Sequence, residues 1–185
     1  MIEKKILNWH VIFVGFKNVK ISDVGVFLNK IRKEVSDCQV QLFDAKMIAG
    51  IEHLYFAVLN ALKAIASGNK ISESPAMEIL LYASGQHQID KAIRMLGVKQ
   101  HSSQIVVVIL SEEREKLKSA IQKISSLIRG EECDEIIELT DEKFQIIKSA
   151  FKISDAELEA ALRKSEKEAL TSILVERSAL LITRI

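Results

Sequence analysis

The stretch SQIVVVIL, residues 103–110, decides how the rest of the chain is read. Its six consecutive apolar residues, Ile105 to Leu110, are mostly β-branched and offer no polar face. The segment therefore reads as a strand buried on both sides and placed centrally in a sheet. Two other stretches supply neighbours. WHVIFVGFK, Trp9 to Lys17, is β-branched and aromatic over a strand's length. Within CQVQLFDAKMI, residues 39–47 alternate at period two around Val40 and Leu42, which gives a second strand. IIEL, 136–139, reads as a weak edge strand.

Helices fill the intervals. Ser22 is placed to cap a helix with Val24, Phe27, Leu28, Ile31 and Val35 along one stripe, ending near Asp37. Ser111 is placed to cap another, with Leu117, Ala120, Ile121, Ile124 and Ile128 inward and a stop before Gly130. GIEHLYFAVLNALKAIAS, 50–67, puts Ile51, Leu54, Tyr55, Val58, Leu59, Leu62 and Ile65 on one face, and Gly68-Asn69 ends it. Ser74-Pro75 opens PAMEILLYAS with the hydroxyl as N-cap and proline at the first helical position, and Gly85 supplies a left-handed stop. QHQIDKAIRMLG, 86–97, is a further short helix. Thr140 opens a helix through Phe144, Ile147 and Phe151. Ser154-Asp155-Ala156-Glu157 has the form of a capping box at the head of a long helix carrying Leu158, Ala161, Leu162, Ser165 and Ala169 inward. SALLITRI, 178–185, reads as a final strand or as the end of that helix. No repeat or linker interrupts the chain. The expectation is a single α+β domain over residues 1–185, its helices packed on a small mixed or antiparallel sheet of three to five strands.

Composition agrees. The chain has 185 residues, of which 48% are hydrophobic, and this is enough for a core and excludes intrinsic disorder. With 26 Lys+Arg against 25 Asp+Glu the net charge is +1, which argues against a polycationic tail-type binder of nucleic acid. Cys38 and Cys133 alone make no disulfide framework, and a reducing compartment fits. MIEKKILNW has no signal-peptide form, and no run approaches the ~18 apolar residues of a membrane span. The expected setting is cytoplasmic, with no membrane contact. Along the chain the charge is uneven: residues 1–130 balance to +6 and residues 131–168 to −6. Such polarity suits an anion-attracting face, and a solvated acidic helix surface would give the same counts.

Reactive motifs are missing. SGNKIS, 67–72, has neither the second glycine nor the preceding strand of a phosphate-binding loop, and no G-x-G-x-x-G or G-x-S-x-G occurs. His10, His53, His87 and His101 are scattered, without C-x-x-C or H-E-x-x-H spacing. Cys38 opens a buried strand, and Cys133 lies among acids that would raise its thiol pKa. Glu112-Glu113 stand at a helix N-terminus, where the dipole accounts for them. We expect no catalytic residue, no metal and no cofactor, and so a protein that acts by binding.

Two features exceed a plain core. His53, Phe56, Asn60, Lys63 and Ser67 recur at spacings of three and four along the back of the 50–67 helix. An aromatic ring among hydrogen-bonding and cationic groups suits an unpaired nucleotide, whose base stacks on the ring. The same stripe would arise from a phenylalanine packed under a neighbouring helix. On the 86–97 helix, Ile89, Ala92, Ile93 and Leu96 form a tight stripe beside an already apolar helix, so that part of it is free for a partner or packed as core.

MIAGIEHLYFAVLNALKAIASG followed by ISESPAMEILLYASGQHQIDKAIRMLGV resembles the kinase-binding subunit of the KEOPS complex, the family of the PRPK-binding protein of animals. EILLYASGQHQI is its specific part, and the likeness extends to the strand at 103–110 and to ILVERSALL, 173–181. It implies a non-catalytic subunit that binds and activates the small atypical kinase/ATPase of KEOPS. The assembly makes threonylcarbamoyladenosine beside the anticodon of tRNA, by chemistry that belongs to the threonylcarbamoyltransferase subunit. It further implies a role in recruiting tRNA through its 3′ CCA end. On this resemblance Ile89, Ala92, Ile93 and Leu96 become the kinase-docking stripe. His53, Phe56, Asn60 and Lys63, with Lys70, Lys91 and Arg94, become the RNA surface. The family often has arginine between the two glutamines where this chain has His87, so a phosphate contact there would be weaker and pH-dependent. The alternatives are a self-associating homodimeric scaffold that meets no kinase, and a small enzyme with an unrecognised site.

Overall fold

The structure is a computed structural model that describes residues 1–181. In chain order the elements are β1 (Ile2–Ile6), β2 (Trp9–Lys17), α1 (Val24–Glu34), β3 (Gln39–Asp44), α2 (Ile51–Ala66), α3 (Pro75–Ser84), α4 (Ile89–Leu96), β4 (Ile105–Ser111), α5 (Arg114–Ile128), β5 (Glu131–Glu132), α6 (Asp141–Ala150), α7 (Asp155–Ala161) and α8 (Glu166–Ala179). The class is α+β, and all the strand pairs among the described residues are antiparallel. Two compact units can be distinguished, each assembled from two stretches: Met1–Ala45 with Gly97–Ile136, and Lys46–Leu96 with Ile137–Ile185.

The first unit holds the sheet, in the order β1-β2-β4-β3, with β5 added to the end of β2. As SQIVVVIL predicts, β4 lies between two strands and all seven of its residues are buried. Ile105, Val107 and Ile109 face the same way as Ile12, Val14, Phe16, Val40 and Leu42 and pack with Ile31 and Val35 of the α1 segment and with Leu117, Ile121 and Ile124 of α5. Val106, Val108, Leu110, Val11, Phe13 and Phe43, on the opposite face, are buried too. Each such aliphatic side chain contributes roughly 1.5–3 kcal/mol on leaving water.

Both helix starts in this unit differ from expectation. Asp23, not Ser22, caps α1, its carboxylate accepting the Val26 N–H at 2.8 Å. Ser111 completes β4, and its hydroxyl accepts the Glu113 N–H in the following turn, so that α5 starts three residues on without a side-chain cap. IIEL is not a strand: Asp134–Ile137 is a 3-10 turn, and the short edge pairing is made by Glu131–Glu132. Gly15 makes this closure fit, because a Cβ there would stand 2.3 Å from the Cys133 carbonyl oxygen. Cys133 N–H in turn donates to the Gly15 carbonyl at 2.8 Å. The strand β1 was not expected. Its hairpin turns through Leu7-Asn8, with Leu7 in the left-handed region at φ 54°, and no glycine marks the turn in the sequence.

The second unit is helical. α3 packs on α2, α4 and α8, and α8 also meets α2, α6 and α7. Ser74 and Gly85 bound α3 as the sequence predicts, Gly85 at φ 61°. Thr140 caps α6, and Ser154 with Glu157 forms the reciprocal capping box of α7. The single long helix expected after Ser154 is two, because Ser165 caps a fresh start by accepting the Glu168 N–H. Leu162, in the break, is 50% exposed rather than inward. Of the SALLITRI tail, the first residues continue α8 to Ala179, and 182–185 lie outside the described residues.

The polarity of the linear sequence does not survive folding into units. The first unit carries 13 basic and 12 acidic side chains and the second 13 of each. An anion-attracting surface therefore has to come from local clusters. Among the described residues no helix is long and apolar enough to cross a membrane.

Candidate functional site

The second unit carries the residues singled out by the sequence, on α2 and α4. α2 starts at Gly50, at φ 101°, with no side-chain cap. His53 takes over part of that duty. Its Nδ1 accepts the Ala49 N–H at 3.2 Å, so the proton sits on Nε2, which donates to the Ala83 carbonyl at 2.8 Å, near the end of α3. The ring is fully buried and meets Phe151 edge-on with centroids 6.0 Å apart. Burial holds the imidazole neutral, its pKa lowered from 6.5 to about 4; the bond to Ala83 opposes the shift and the Lys143 ammonium adds to it. His53 is thus a core clasp and leaves the RNA set.

The inward turn of His53 has a physical origin. The inward arc of α2 runs through Leu54, Val58 and Leu62 and on through Ala57, Ala61 and Ala64, whose small side chains admit close neighbours. That rotation leaves Tyr55, Leu59 and Ile65, expected inside, only half-buried. Phe56 is half-buried as well and stands edge-on to Tyr55 at 5.3 Å. Asn60 Nδ2 donates to the Ser178 hydroxyl at 3.1 Å and is engaged with α8. Lys63 is exposed and makes no ion pair among the described residues. Lys70, also exposed, pairs with Glu73 at 2.6 Å. Of the α2 residues expected to meet RNA, Phe56 and Lys63 therefore remain accessible, with Tyr55 half-buried beside them. The alanine spacing 57-61-64 was the signal that could have located this face.

α3 is buried along most of its length, Glu78 included. The Glu78 carboxylate accepts the N–H groups of Ile71 and Ser72 at 3.0 and 2.7 Å and orders the loop before the helix. Tyr82 is buried beside it, and burial first, then the Glu78 charge, pushes its phenol up to about 12. His87 is half-buried, and its Nε2 is shielded from solvent with no hydrogen-bond partner among the described residues.

The stripe on α4 is divided by the fold. Ala92 and Leu96 are fully buried and belong to the core, which removes them from the docking surface. Ile89 and Ile93 are 40% and 43% exposed. They are joined on the outside by Asp90, Lys91 and Arg94. All four residues lie within about 100° of one another around the helix, and packing against α3 buries Ala92 and Leu96 while leaving Ile89 and Ile93 at the edge of that contact.

Elsewhere in the unit, α7 and α8 bound a shallow groove of about 590 Å³ floored by Ala160, Ala161, Ile173 and Leu180. Arg177 is consumed there by the Phe151 carbonyl at 2.6 Å and by Glu157 at 2.7 Å. The Ser154 N–H first, then the Arg177 guanidinium and the Ser154 hydroxyl, hold the Glu157 carboxyl down at about 2. Among the described residues no group of three or more His, Cys, Asp or Glu side chains is placed to hold a metal ion.

Residues 16–181 match the family model described as Kinase binding protein CGI-121. The regulatory protein Cgi121 of Methanocaldococcus jannaschii is 34% identical over 61% of this chain and 70% of its own length. The KEOPS complex subunit Cgi121 of Pyrococcus abyssi is 35% identical over 45% of this chain and 50% of its own. The EKC/KEOPS complex subunit CGI121 of Candida glabrata is 24% identical over 68% of this chain and 67% of its own. With the match running from the end of β2 to the end of α8, through every residue of α2, α3 and α4, the chain belongs to the CGI-121 family of kinase binding proteins.

Proposed function

We propose that this chain is the kinase-binding regulatory subunit of a cytoplasmic KEOPS complex. It docks on the small atypical kinase/ATPase and raises its turnover. It also helps to bring tRNA, by its single-stranded 3′ CCA end, to the assembly that makes threonylcarbamoyladenosine beside the anticodon. It contributes no reacting group, and the transfer chemistry rests with the threonylcarbamoyltransferase subunit. Family membership and the names of the relatives support the reading. The observation that carries it is the pair Ile89 and Ile93, left standing out of α4 inside the matched region.

A short apolar pair of this kind is what a partner's cleft covers first, and such central residues dominate the affinity of an interface. Docking alone does not activate. The subunit raises ATP turnover only if it binds the active arrangement of the kinase more tightly than the inactive one. For RNA, Phe56 and Tyr55 offer rings to an unstacked base, and Lys63 offers a cation to the adjacent phosphate.

Reconstitution with the KEOPS kinase of the same genome and an unmodified tRNA transcript tests the proposal. Expected are a stable complex, faster ATP hydrolysis when this chain is added, and no hydrolysis by the chain alone. Unchanged turnover together with failure to co-elute overturns it. Light scattering of the free chain should give a monomer, and a dimer sealed through Ile89 and Ile93 would restore the scaffold reading.

A further inference from the structure

Glu78 is fully buried, and no cation pairs with it among the described residues. Its carboxylate is turned to the loop 67–74 between α2 and α3. Both oxygens accept the Ile71 N–H, at 3.0 and 3.1 Å, and one also accepts the Ser72 N–H at 2.7 Å. Burying a carboxylate is costly, and closing a short loop does not require one. The other end of this loop closes with neutral groups alone. Asn69 N–H donates to the Ala64 carbonyl at 2.9 Å, and Asn69 Nδ2 donates to the Ser67 hydroxyl at 3.2 Å. The charged clamp falls where the loop carries its one lysine. The Ile71 N–H belongs to the peptide unit that joins Lys70 to Ile71, so Glu78 fixes the backbone from which the Lys70 side chain leaves.

The bond from Asn69 to Ala64 folds the loop back on the last turn of α2, the turn that carries Lys63. The Cα atoms of Lys63 and Lys70 are therefore at most about 14 Å apart, close enough for one short single strand to touch both ammonium groups. Resting on the RNA reading above, we infer that Glu78 is a positioning residue for RNA: it fixes the α2–α3 loop so that Lys70 meets a second phosphate of the strand held by Lys63. In the free chain the Glu73 carboxylate occupies Lys70 at 2.6 Å. An exposed pair of this kind contributes little in water, so a phosphate that releases a counterion on contact displaces it. The clamp removes backbone freedom before RNA arrives, and less is then lost on binding.

The test measures binding of an unmodified tRNA transcript against salt for the full-length chain and its variants Lys70→Gln, Glu78→Gln and the two combined. Lys70→Gln should lower the salt slope by about 0.7 and the affinity at 0.1 M salt by about fivefold, the effect of one phosphate contact to a single strand. Glu78→Gln sets an amide NH2 against the loop N–H groups and should lower slope and affinity nearly as far. The combined variant should lose no more than Lys70→Gln alone, because Glu78 acts only through that lysine. Ser72→Pro removes one donor from the loop side, leaves α3 untouched, and should act in the same direction even if Glu78→Gln fails to fold. A wild-type slope in Lys70→Gln overturns the inference. So does a wild-type slope in both Glu78→Gln and Ser72→Pro, or losses that add in the combined variant. If Lys63→Glu and Phe56→Ala also bind tRNA as wild type does, the RNA reading itself has failed, an outcome distinct from failure of the clamp.

Discussion

On α2 the buried arc takes in Leu54, Val58 and Leu62 and continues through Ala57, Ala61 and Ala64 to His53. On α4 it takes in Ala92 and Leu96 and stops, with Ile89 and Ile93 left in the open. The first helix buries a polar ring by satisfying both nitrogens, and the second leaves about two-fifths of each isoleucine in water. Polar residues are drawn inside when packing supplies partners, so polarity alone does not mark a surface. Apolar residues left outside by a fold that is otherwise well filled point to a partner.

Truncation inside and outside the same helix should break this comparison most sharply, if it is wrong. Leu96→Ala should cost about 3 kcal/mol in urea unfolding, since it removes a buried side chain and leaves a cavity. Ile93→Ala should change stability by less than about 0.5 kcal/mol. Equal losses at the two positions would mean that Ile93 is core after all.

The His53 clasp predicts a pH window. The folded pKa is lowered from 6.5 to about 4, so between those values the unfolded chain takes up a proton that the folded chain refuses. Stability present above pH 6.5 is therefore lost as the pH falls toward 4, at up to about 1.4 kcal/mol per pH unit and about 3 kcal/mol in all. Glu157 acts in a lower range, its carboxyl held at about 2 against 4.5, so its contribution is lost only below pH 4.5. Unfolding free energies measured from pH 7.5 to 4 should fall along this course in wild type, and the His53→Asn variant, destabilised at every pH, should show a flatter profile. Parallel profiles would show that His53 titrates normally and is not sealed.

A smaller effect, on binding rather than folding, comes from the outer face. Ile93→Glu should weaken kinase binding by at least about 30-fold, or about 2 kcal/mol, because a carboxylate would be buried in the partner's cleft without a counter-charge. Its unfolding midpoint should stay at the wild-type value. Loss of binding together with loss of stability would trace the effect to the fold.

The sequence disclosed the sheet more fully than the surfaces, and the reason lies in what each depends on. The strands at Trp9–Lys17 and 105–111 are set by local β-branched runs, and the starts of α3, α6 and α7 by serine or threonine placed before the first turn. β1 escaped because its turn uses Leu7 at positive φ where glycine would have announced it. The 3-10 turn at Asp134–Ile137 escaped because its place is set by a distant glycine, Gly15, that lets the Cys133 carbonyl approach. In the site, the spacing 53-56-60-63 is compatible with two different faces of α2, and only the alanines at 57, 61 and 64 distinguish them. Ile89 and Ile93 could not be told from Ala92 and Leu96 by period, since all four fall on one stripe. Which half turns inward is decided by α3, through contacts remote from the local pattern.

Lys63 sets the last and smallest test of the contrast between the two helices. If RNA meets the α2 face, Lys63→Glu removes one cation from a surface whose rings remain. The salt slope of tRNA binding should then fall by about 1, and affinity at low salt should drop several-fold. Phe56→Ala should lower affinity by about 1–3 kcal/mol if a base stacks there, and leave the salt slope alone. The two changes separate because a phosphate contact releases counterions and a stacking contact does not. Should Lys63→Glu leave both slope and affinity at wild-type values, the exposed face of α2 carries no RNA, and its half-buried aromatics are left as the outer edge of the core.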